Sequence, residues 1–209
     1  IYQSTGDYHV TLTVADAAGH SDNETKLVSV TFWSFAIITD LHIGIEVGDY
    51  DGLGWSDNGT AGREDIASVM YLRQAVDTIN LYKQVYNIQL VFVLGDVSES
   101  AELSELDKAF DILDGLDIPW VPLIGNHDIW PFTSLYDQAP KVGPDNAGTD
   151  VYFDSKFQFQ YEELSYILEN WERAQIPVWN LEGGFEHNSY FQNFAFDYGG
   201  YHFIGLDLN

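Results

Sequence analysis

The sequence contains no cysteine, and this absence removes several kinds of chemistry at once. Among its 209 residues there is none to form a disulfide, to supply a thiolate ligand to a metal, or to act as a cysteine nucleophile. The absence says little about compartment, because many extracellular folds have no disulfide. The candidate chemistry must come from oxygen and imidazole groups.

Basic residues and long apolar runs are also scarce. Eight Lys and Arg stand against 33 Asp and Glu, which gives a formal net charge of −25. A surface this acidic repels phosphate backbones, so nucleic acid is a poor partner. No apolar run approaches the ~20 residues that span a bilayer, so no transmembrane segment is predicted. Hydrophobic residues still make up 45% of the chain, enough for a sizeable core.

Residues 1–32 differ in pattern from the rest. Two alternating stretches, residues 8–14 and 26–32, flank a turn rich in Asp, Gly and Ser and predict paired strands. Because two strands alone are marginally stable, we expect further strands upstream of them. An N-terminal hairpin of the main domain is the alternative.

The pattern Gly6-x-Tyr8-x-Val10-x-Leu12-x-Val14 resembles the last strands of a polycystic-kidney-disease-type (PKD) β-sandwich. Such modules are immunoglobulin-like domains of surface proteins, and the resemblance covers only residues 1–32. Together with the acidity it implies an extracellular or cell-surface protein, although a cytoplasmic location stays open.

From residue 33 onward, apolar strands alternate with amphipathic helices. This rhythm predicts parallel strands joined by right-handed crossovers, with a site at the carboxyl ends of the strands. We expect strands at residues 35–39, 91–94 and 120–124, helices at 63–86, 103–113 and 162–171, and a hairpin from strands 189–197 and 201–208. The long connection 129–154 carries aromatic residues that would either form a wall over the site or pack against the body of the domain.

Polar side chains follow each of the three buried strands. Asp40 and His42 are two residues apart, which on a strand places both on one face. A carboxylate with an imidazole suits Zn, Mn, Fe or Co. Asp96 follows a glycine that permits a sharp turn, and its two oxygens can bridge two cations. Asn126 offers a neutral amide oxygen, next to His127.

Each of these pieces has an ordinary explanation when taken alone. An Asp-x-His pair arises by chance, a Gly-Asp at a strand end is usually a turn, and His127 alone would be a structural histidine. Their occurrence in order, after buried strands that end at one sheet edge, favours a metal site.

The three motifs together resemble a known family. Asp40-x-His42, Gly95-Asp96-x-x-Glu99 and Gly125-Asn126-His127-Asp128 are similar to the first three motifs of the calcineurin-like metallophosphoesterases, over residues 35–209. The resemblance implies an α/β (α+β) fold for residues 33–209, with a two-sheet β-sandwich flanked by helices. It also implies hydrolysis of phosphate mono- or diesters by a hydroxide that two divalent cations (Mn, Fe, Zn or Co) activate.

Matching positions give each residue an implied role. Asp40 and His42 would bind the first metal, Asp96 would bridge both, and Asn126 would bind the second. His127 would be catalytic beside the phosphate and leaving group, with Asp128 orienting it. We expect Glu99 to support the ligands without binding metal.

The sequence departs from the family pattern in its later histidines. The family supplies further ligands from a Gly-His-x-His motif, which does not occur here. His202 falls in a predicted strand and His187 in a glycine-rich loop, and neither is expected to bind metal. We therefore expect a C-terminally truncated, incomplete domain with weak metal affinity, and we expect the phosphoesterase activity of the intact protein.

Two other functions remain open at this point. One is a non-catalytic cell-surface binding or scaffold protein, and the other is a nuclease of the same fold. The intact motifs weigh against the first, and the net charge of −25 weighs against the second. The expected partner is a small phosphate ester, a phospholipid or a nucleotide, and the oligomeric state is left open.

Overall fold

The computed structural model describes residues 6–30, 32–44, 60, 62–129, 151–174, 177–179, 188–190 and 192–207. The described strands are β1 (Gly6–Ala15), β2 (Ser21–Val30), β3 (Ser34–Ile38), β4 (Ile88–Leu94), β5 (Trp120–Leu123), β6 (Glu169–Ala174), β7 (Pro177–Trp179), β8 (Asn188–Tyr190), β9 (Asn193–Tyr198) and β10 (Tyr201–Gly205). The described helices are α1 (Ala67–Tyr82), α2 (Leu103–Leu113) and α3 (Val151–Ile167).

The first sheet of the main body is parallel, with the strand order β3–β4–β5. The central strand β4 is apolar on both faces because neighbours cover it on all sides, and Leu90, Val91 and Val93 are fully buried. The three predicted strands are confirmed in type, in order and in parallel pairing. β4 begins three residues earlier than predicted, at Ile88.

Two helices connect these strands. Helix α1 buries Val69, Leu72, Val76 and Ile79, which recur at intervals of three and four residues and form one apolar face. The predicted helix began at Arg63, but residues 63–66 precede α1, and Ile66 is extended, with φ −71° and ψ 131°. Helix α2 has the predicted bounds. Both βα units are therefore present.

The second sheet is antiparallel, in the order β10–β9–β6. Strands β9 and β10 form the predicted hairpin, which turns at Gly199 and Gly200, both at positive φ. The predicted strand 189–197 is divided in the structure, because β8 pairs with β7 and only β9 joins the second sheet.

Helix α3 corrects the prediction of a short helix at residues 162–171. It runs from residue 151 to residue 167, and Trp171 lies in β6 instead. Its buried face consists of side chains spaced by three and four residues: Phe153, Phe157, Tyr161 and Leu164. The side-chain hydroxyl of Tyr161 donates to the carbonyl oxygen of Pro122 (2.8 Å), which fixes α3 against β5. Residues 130–150 of the predicted long connection, and His187, lie outside the described residues.

An aromatic layer joins the two sheets. Phe92 of the first sheet lies 5.4 Å from Phe203 and 6.3 Å from Phe196 of the second sheet, measured between ring centroids. Phe196 and Phe203 stack on each other at 5.0 Å. This packing confirms the predicted α/β fold, in which two sheets form a sandwich with helices at its flanks.

The N-terminal segment forms a separate ribbon. Strands β1 and β2 pair antiparallel over ten residues each, from Gly6 opposite Val30 to Ala15 opposite Ser21. Leu12 and Val14 are more than half exposed on this ribbon. Its assignment to a PKD-type module stays a prediction. No helix in the described part of the chain is long and apolar enough to cross a membrane.

The aromatic layer yields a test of the fold. Phe196→Ala is expected to lower the free energy of unfolding by about 3–5 kcal/mol, because it leaves a cavity beside Phe92 and Phe203. Urea denaturation measures the change. Phe159→Ala is the matched control, since Phe159 is 72% exposed on α3 and its loss should cost about 0.5 kcal/mol or less. Equal losses in the two variants would contradict the proposed core.

Candidate metal centre

The loops after β3 and β4 run side by side. The backbone N–H of Asp40 donates to the carbonyl oxygen of Gly95 (3.3 Å), and the N–H of His42 donates to that of Asp96 (2.9 Å). The N–H of Ile43 donates to the carbonyl of Val97 (3.0 Å). Parallel pairing therefore continues beyond the ends of the strands and holds the first two motifs together.

The loop after β5 approaches the same place through a glycine. A Cβ atom on Gly125 would lie 2.2 Å from the backbone nitrogen and from Oδ1 of Asp96, far inside any real contact. Only glycine allows this approach. The backbone N–H of His127 then donates to Oδ1 of Asp96 (2.9 Å), which orients that carboxylate.

Three predicted ligands adopt left-handed backbone conformations. The φ angles of Asp40, His42 and Asp96 are +53°, +44° and +48°. Each such residue costs about 1–3 kcal/mol and persists only where its surroundings hold it, as happens at functional sites. Because β3 ends at Ile38, strand alternation does not place Asp40 and His42 on one face, and that step of the prediction is wrong.

His42, Asp96 and His127 converge into one group. Each offers a ligand atom, these atoms lie within 4.8 Å of one another, and all three side chains are half-buried. The rings of His42 and His127 meet edge to face, with 4.5 Å between their centroids. Two imidazole nitrogens and a carboxylate oxygen suit divalent metals of borderline softness, such as Zn or Mn. The donor set therefore fits a metal.

Glu99 contacts both histidines of this group. Its Oε2 lies 2.8 Å from Nδ1 of His42, at ion-pair distance, although that nitrogen is buried and lacks an aligned hydrogen bond. Its backbone carbonyl lies 2.7 Å from Nδ1 of His127. Since a carbonyl oxygen can only accept, Nδ1 of His127 carries a proton, and Nε2 carries the lone pair in the neutral ring.

Asp128 does not orient His127 as predicted. It is fully buried, and its Oδ1 accepts hydrogen bonds from the backbone N–H (2.8 Å) and the hydroxyl (2.9 Å) of Ser98. Its Oδ2 accepts from the N–H of Gly125 (2.8 Å). Burial raises the pKa of Asp128 to about 7, against the opposing effect of these hydrogen bonds. Asp128 ties the loop after β5 to the loop after β4.

The other two predicted ligands, Asp40 and Asn126, follow β3 and β5 in the same two loops as His42 and His127. Asp40 is exposed, and its Oδ2 accepts a hydrogen bond from the hydroxyl of Thr39 (2.6 Å). Asn126 is exposed at the start of a 3₁₀ turn, Asn126–Asp128, directly before His127. Their roles as ligands stay predictions.

The sequence did not indicate the double contact of Glu99 or the anchoring role of Ser98. Glu99 was expected in a supporting position from its place in Gly-Asp-x-x-Glu, but only the folded loops show that it contacts two imidazoles. Ser98 carried no signal, since a lone serine in a loop has no pattern. His202 ion-pairs with Asp197 on the exposed surface, away from the metal group.

The contact between Glu99 and His42 can be tested through metal affinity. Glu99→Gln is expected to weaken Zn²⁺ binding about 10–100-fold, because a carboxylate beside a ligating imidazole fixes the ring and raises its basicity. Isothermal titration calorimetry at moderate salt measures the affinity. Glu163→Gln removes the same charge from an exposed site on α3 and should leave the affinity unchanged. If both variants weaken Zn²⁺ binding equally, the loss of affinity reflects the lower overall negative charge and not the contact between Glu99 and His42.

The comparison with known families agrees with this geometry. A family model described as calcineurin-like phosphoesterase matches residues 34–208, which include β3 through β10 and all three loops. A search of curated proteins found no match. The match covers well over half of the chain, and the chain therefore belongs to the calcineurin-like phosphoesterase family.

Proposed function

We propose that the protein hydrolyses phosphate mono- or diesters with the help of two divalent cations. The observation that carries this proposal is the convergence of His42, Asp96 and His127 within 4.8 Å at the carboxyl edge of the parallel sheet. Membership of the calcineurin-like phosphoesterase family supports the same reaction class.

Four residues are proposed to hold the cations. Asp40 and His42 would bind one, Asp96 would bridge both, and Asn126 would bind the other. The metals fitting such oxygen and imidazole donors are Mn, Fe, Zn and Co. When bound, divalent cations supply Lewis acidity and lower the pKa of water towards ~7.

His127 is proposed to act on the leaving group. Its Nδ1–H donates to the carbonyl of Glu99, which fixes the ring. Nε2 carries the lone pair in the neutral ring, so it must take up a proton from solvent before it can give that proton to the departing oxygen. The same Nε2 cannot bind a metal and donate a proton together. We assign Nε2 of His127 to proton transfer, and His42 and Asp96 to metal binding.

A scaffold or binding role without catalysis is the rival function. In that case residues 1–32 would mediate contact with other molecules and the main body would only bind ligands. The proposed location, extracellular or at the cell surface, is compatible with both functions and is supported by the β1–β2 ribbon and the net charge of −25. Assays with p-nitrophenyl phosphate, bis-p-nitrophenyl phosphate, nucleotides, phospholipid head groups and single-stranded DNA separate esterase, nuclease and scaffold.

The bridging role of Asp96 gives the first test. In the intact protein, Asp96→Asn is expected to abolish metal-dependent hydrolysis of p-nitrophenyl phosphate, because an amide supplies one weak ligand oxygen where a carboxylate supplies two charged ones. Initial rates with added Mn²⁺ measure the loss. Asp77→Asn, at an exposed position of α1, is the matched control. Activity that survives in Asp96→Asn would overturn the assignment.

The role of His127 gives the second test. His127→Asn is expected to lower kcat about 10²–10⁴-fold, the usual contribution of a positioned general acid. Its Mn²⁺ affinity, measured by calorimetry, should stay within about threefold of the parent. A collapse of metal affinity in this variant would instead make His127 a ligand, as its place in the convergent group allows.

A further inference from the structure

A cavity of about 410 Å³ adjoins the candidate metal centre. It lies between the residues that follow β3 and the first half of α1, and Asp40 and His42 form one of its walls. Its volume falls in the range of small-molecule sites, about 300–1,000 Å³. A group bound in this cavity would therefore lie next to the proposed metal ligands.

The remaining walls are mostly apolar. Ile38 and Leu41 line it from the end of β3, while Leu72 and Ala75 line it from α1. Tyr71 also lines the cavity and is 68% exposed, an unusual exposure for a large aromatic residue beside a site. An exposed tyrosine next to an apolar cavity offers a face on which another ring can stack.

Thr39 and Ser68 place hydroxyl groups among these walls, beside Asp40 and His42. The hydroxyl oxygen of Ser68 is buried and has no hydrogen-bond partner among the described residues. Ser68 lines this cavity together with His42, and both residues also line a neighbouring cavity of about 650 Å³ that reaches Glu99 and Arg63. A buried hydroxyl left unpaired costs about 1–3 kcal/mol, which a ligand oxygen at this point would recover.

We propose that this cavity, named here the α1 cleft, binds the alcohol portion of the substrate and selects aromatic alcohols. The proposal rests on the proposed phosphoesterase function and adds the substrate class to it. With the phosphoryl group at His42, Asp96 and His127, an ester oxygen near Ser68 directs the alcohol along Leu72 and Ala75 to Tyr71.

The apolar walls also disfavour other alcohols. Hydroxyl groups of a sugar or polyol that lie against Leu41, Leu72 or Ala75 find no hydrogen-bond partner on those side chains, at about 1–3 kcal/mol for each buried group. An apolar ring gains roughly 25 cal/mol for each Å² that it buries there.

Substrate preference tests the α1 cleft. The test compares KM for 2-naphthyl phosphate with KM for glycerol 2-phosphate in the metal-loaded protein. The ratio of the first KM to the second should rise about tenfold in Tyr71→Ser, the size expected for losing an aromatic contact. It should rise also in Ala75→Phe, whose larger side chain fills the cleft. Tyr166→Ser, at a 91% exposed tyrosine of α3, should leave the ratio unchanged. Circular dichroism checks that each variant is folded. If Ala75→Phe disturbs α1, Tyr71→Ser alone provides the test. An unchanged ratio in Tyr71→Ser overturns the proposal.

A binding experiment on the metal-free chain separates this proposal from the proposed function. Titration with 2-naphthol should shift the methyl resonances of Leu72 and Ala75, and Tyr71→Ser should weaken the binding about tenfold. Absence of these shifts overturns the α1 cleft even when the protein hydrolyses both esters. Binding of 2-naphthol by a metal-loaded protein that hydrolyses neither ester refutes the phosphoesterase function and, with it, the assignment of the cleft to a leaving group.

Discussion

The close backbone approach of three loops is the constraint on which the candidate site depends. The loop after β5 can reach the loop after β4 because Gly125 has no Cβ to collide with Asp96. Asp128 then holds the two loops together from the buried side through Ser98 and Gly125. Pairing between the loops after β3 and β4 adds His42 to the group. The ligands are thus positioned by backbone contacts of the protein itself, before any metal contributes.

That constraint explains which parts of the site the sequence could predict. The carboxyl ends of parallel strands meet at one sheet edge, so three apolar strands with polar ends were enough to predict that His42, Asp96 and His127 approach one another. The partner of a buried polar group depends on a few tenths of an ångström in three dimensions. Asp128 therefore bonds to Ser98 and Gly125 rather than to His127, and no pattern of letters indicates that choice.

In the fold, too, elements with local sequence signals were predicted correctly, and elements set by tertiary packing were not. Strands β3, β4 and β5 and the β9–β10 hairpin were predictable because alternation, turn glycines and short apolar runs are local signals. Helix α3 was placed eleven residues too late, because its first turn, with Phe153, was assigned to the end of the long connection 129–154. Trp171 looked helical by spacing but stacks on Phe194 and Phe196 within the second sheet. The place of Trp171 in the second sheet is therefore set by aromatic packing, which the sequence alone does not predict.

Bound metals would also change the electrostatic potential of this acidic site. A chain with a net charge of −25 repels a phosphate ester, and the site itself adds Asp40, Asp96 and Glu99. The same carboxylates attract divalent cations, and bound cations reverse the local sign of the field. The carboxylate of Glu99 lies at ion-pair distance from His42, and its backbone carbonyl accepts a hydrogen bond from His127, so one residue contacts both imidazoles. Metal binding at this edge would therefore do two things that the protein alone cannot do: it would offset the clustered negative charge, and it would make an acidic surface receptive to an anionic substrate.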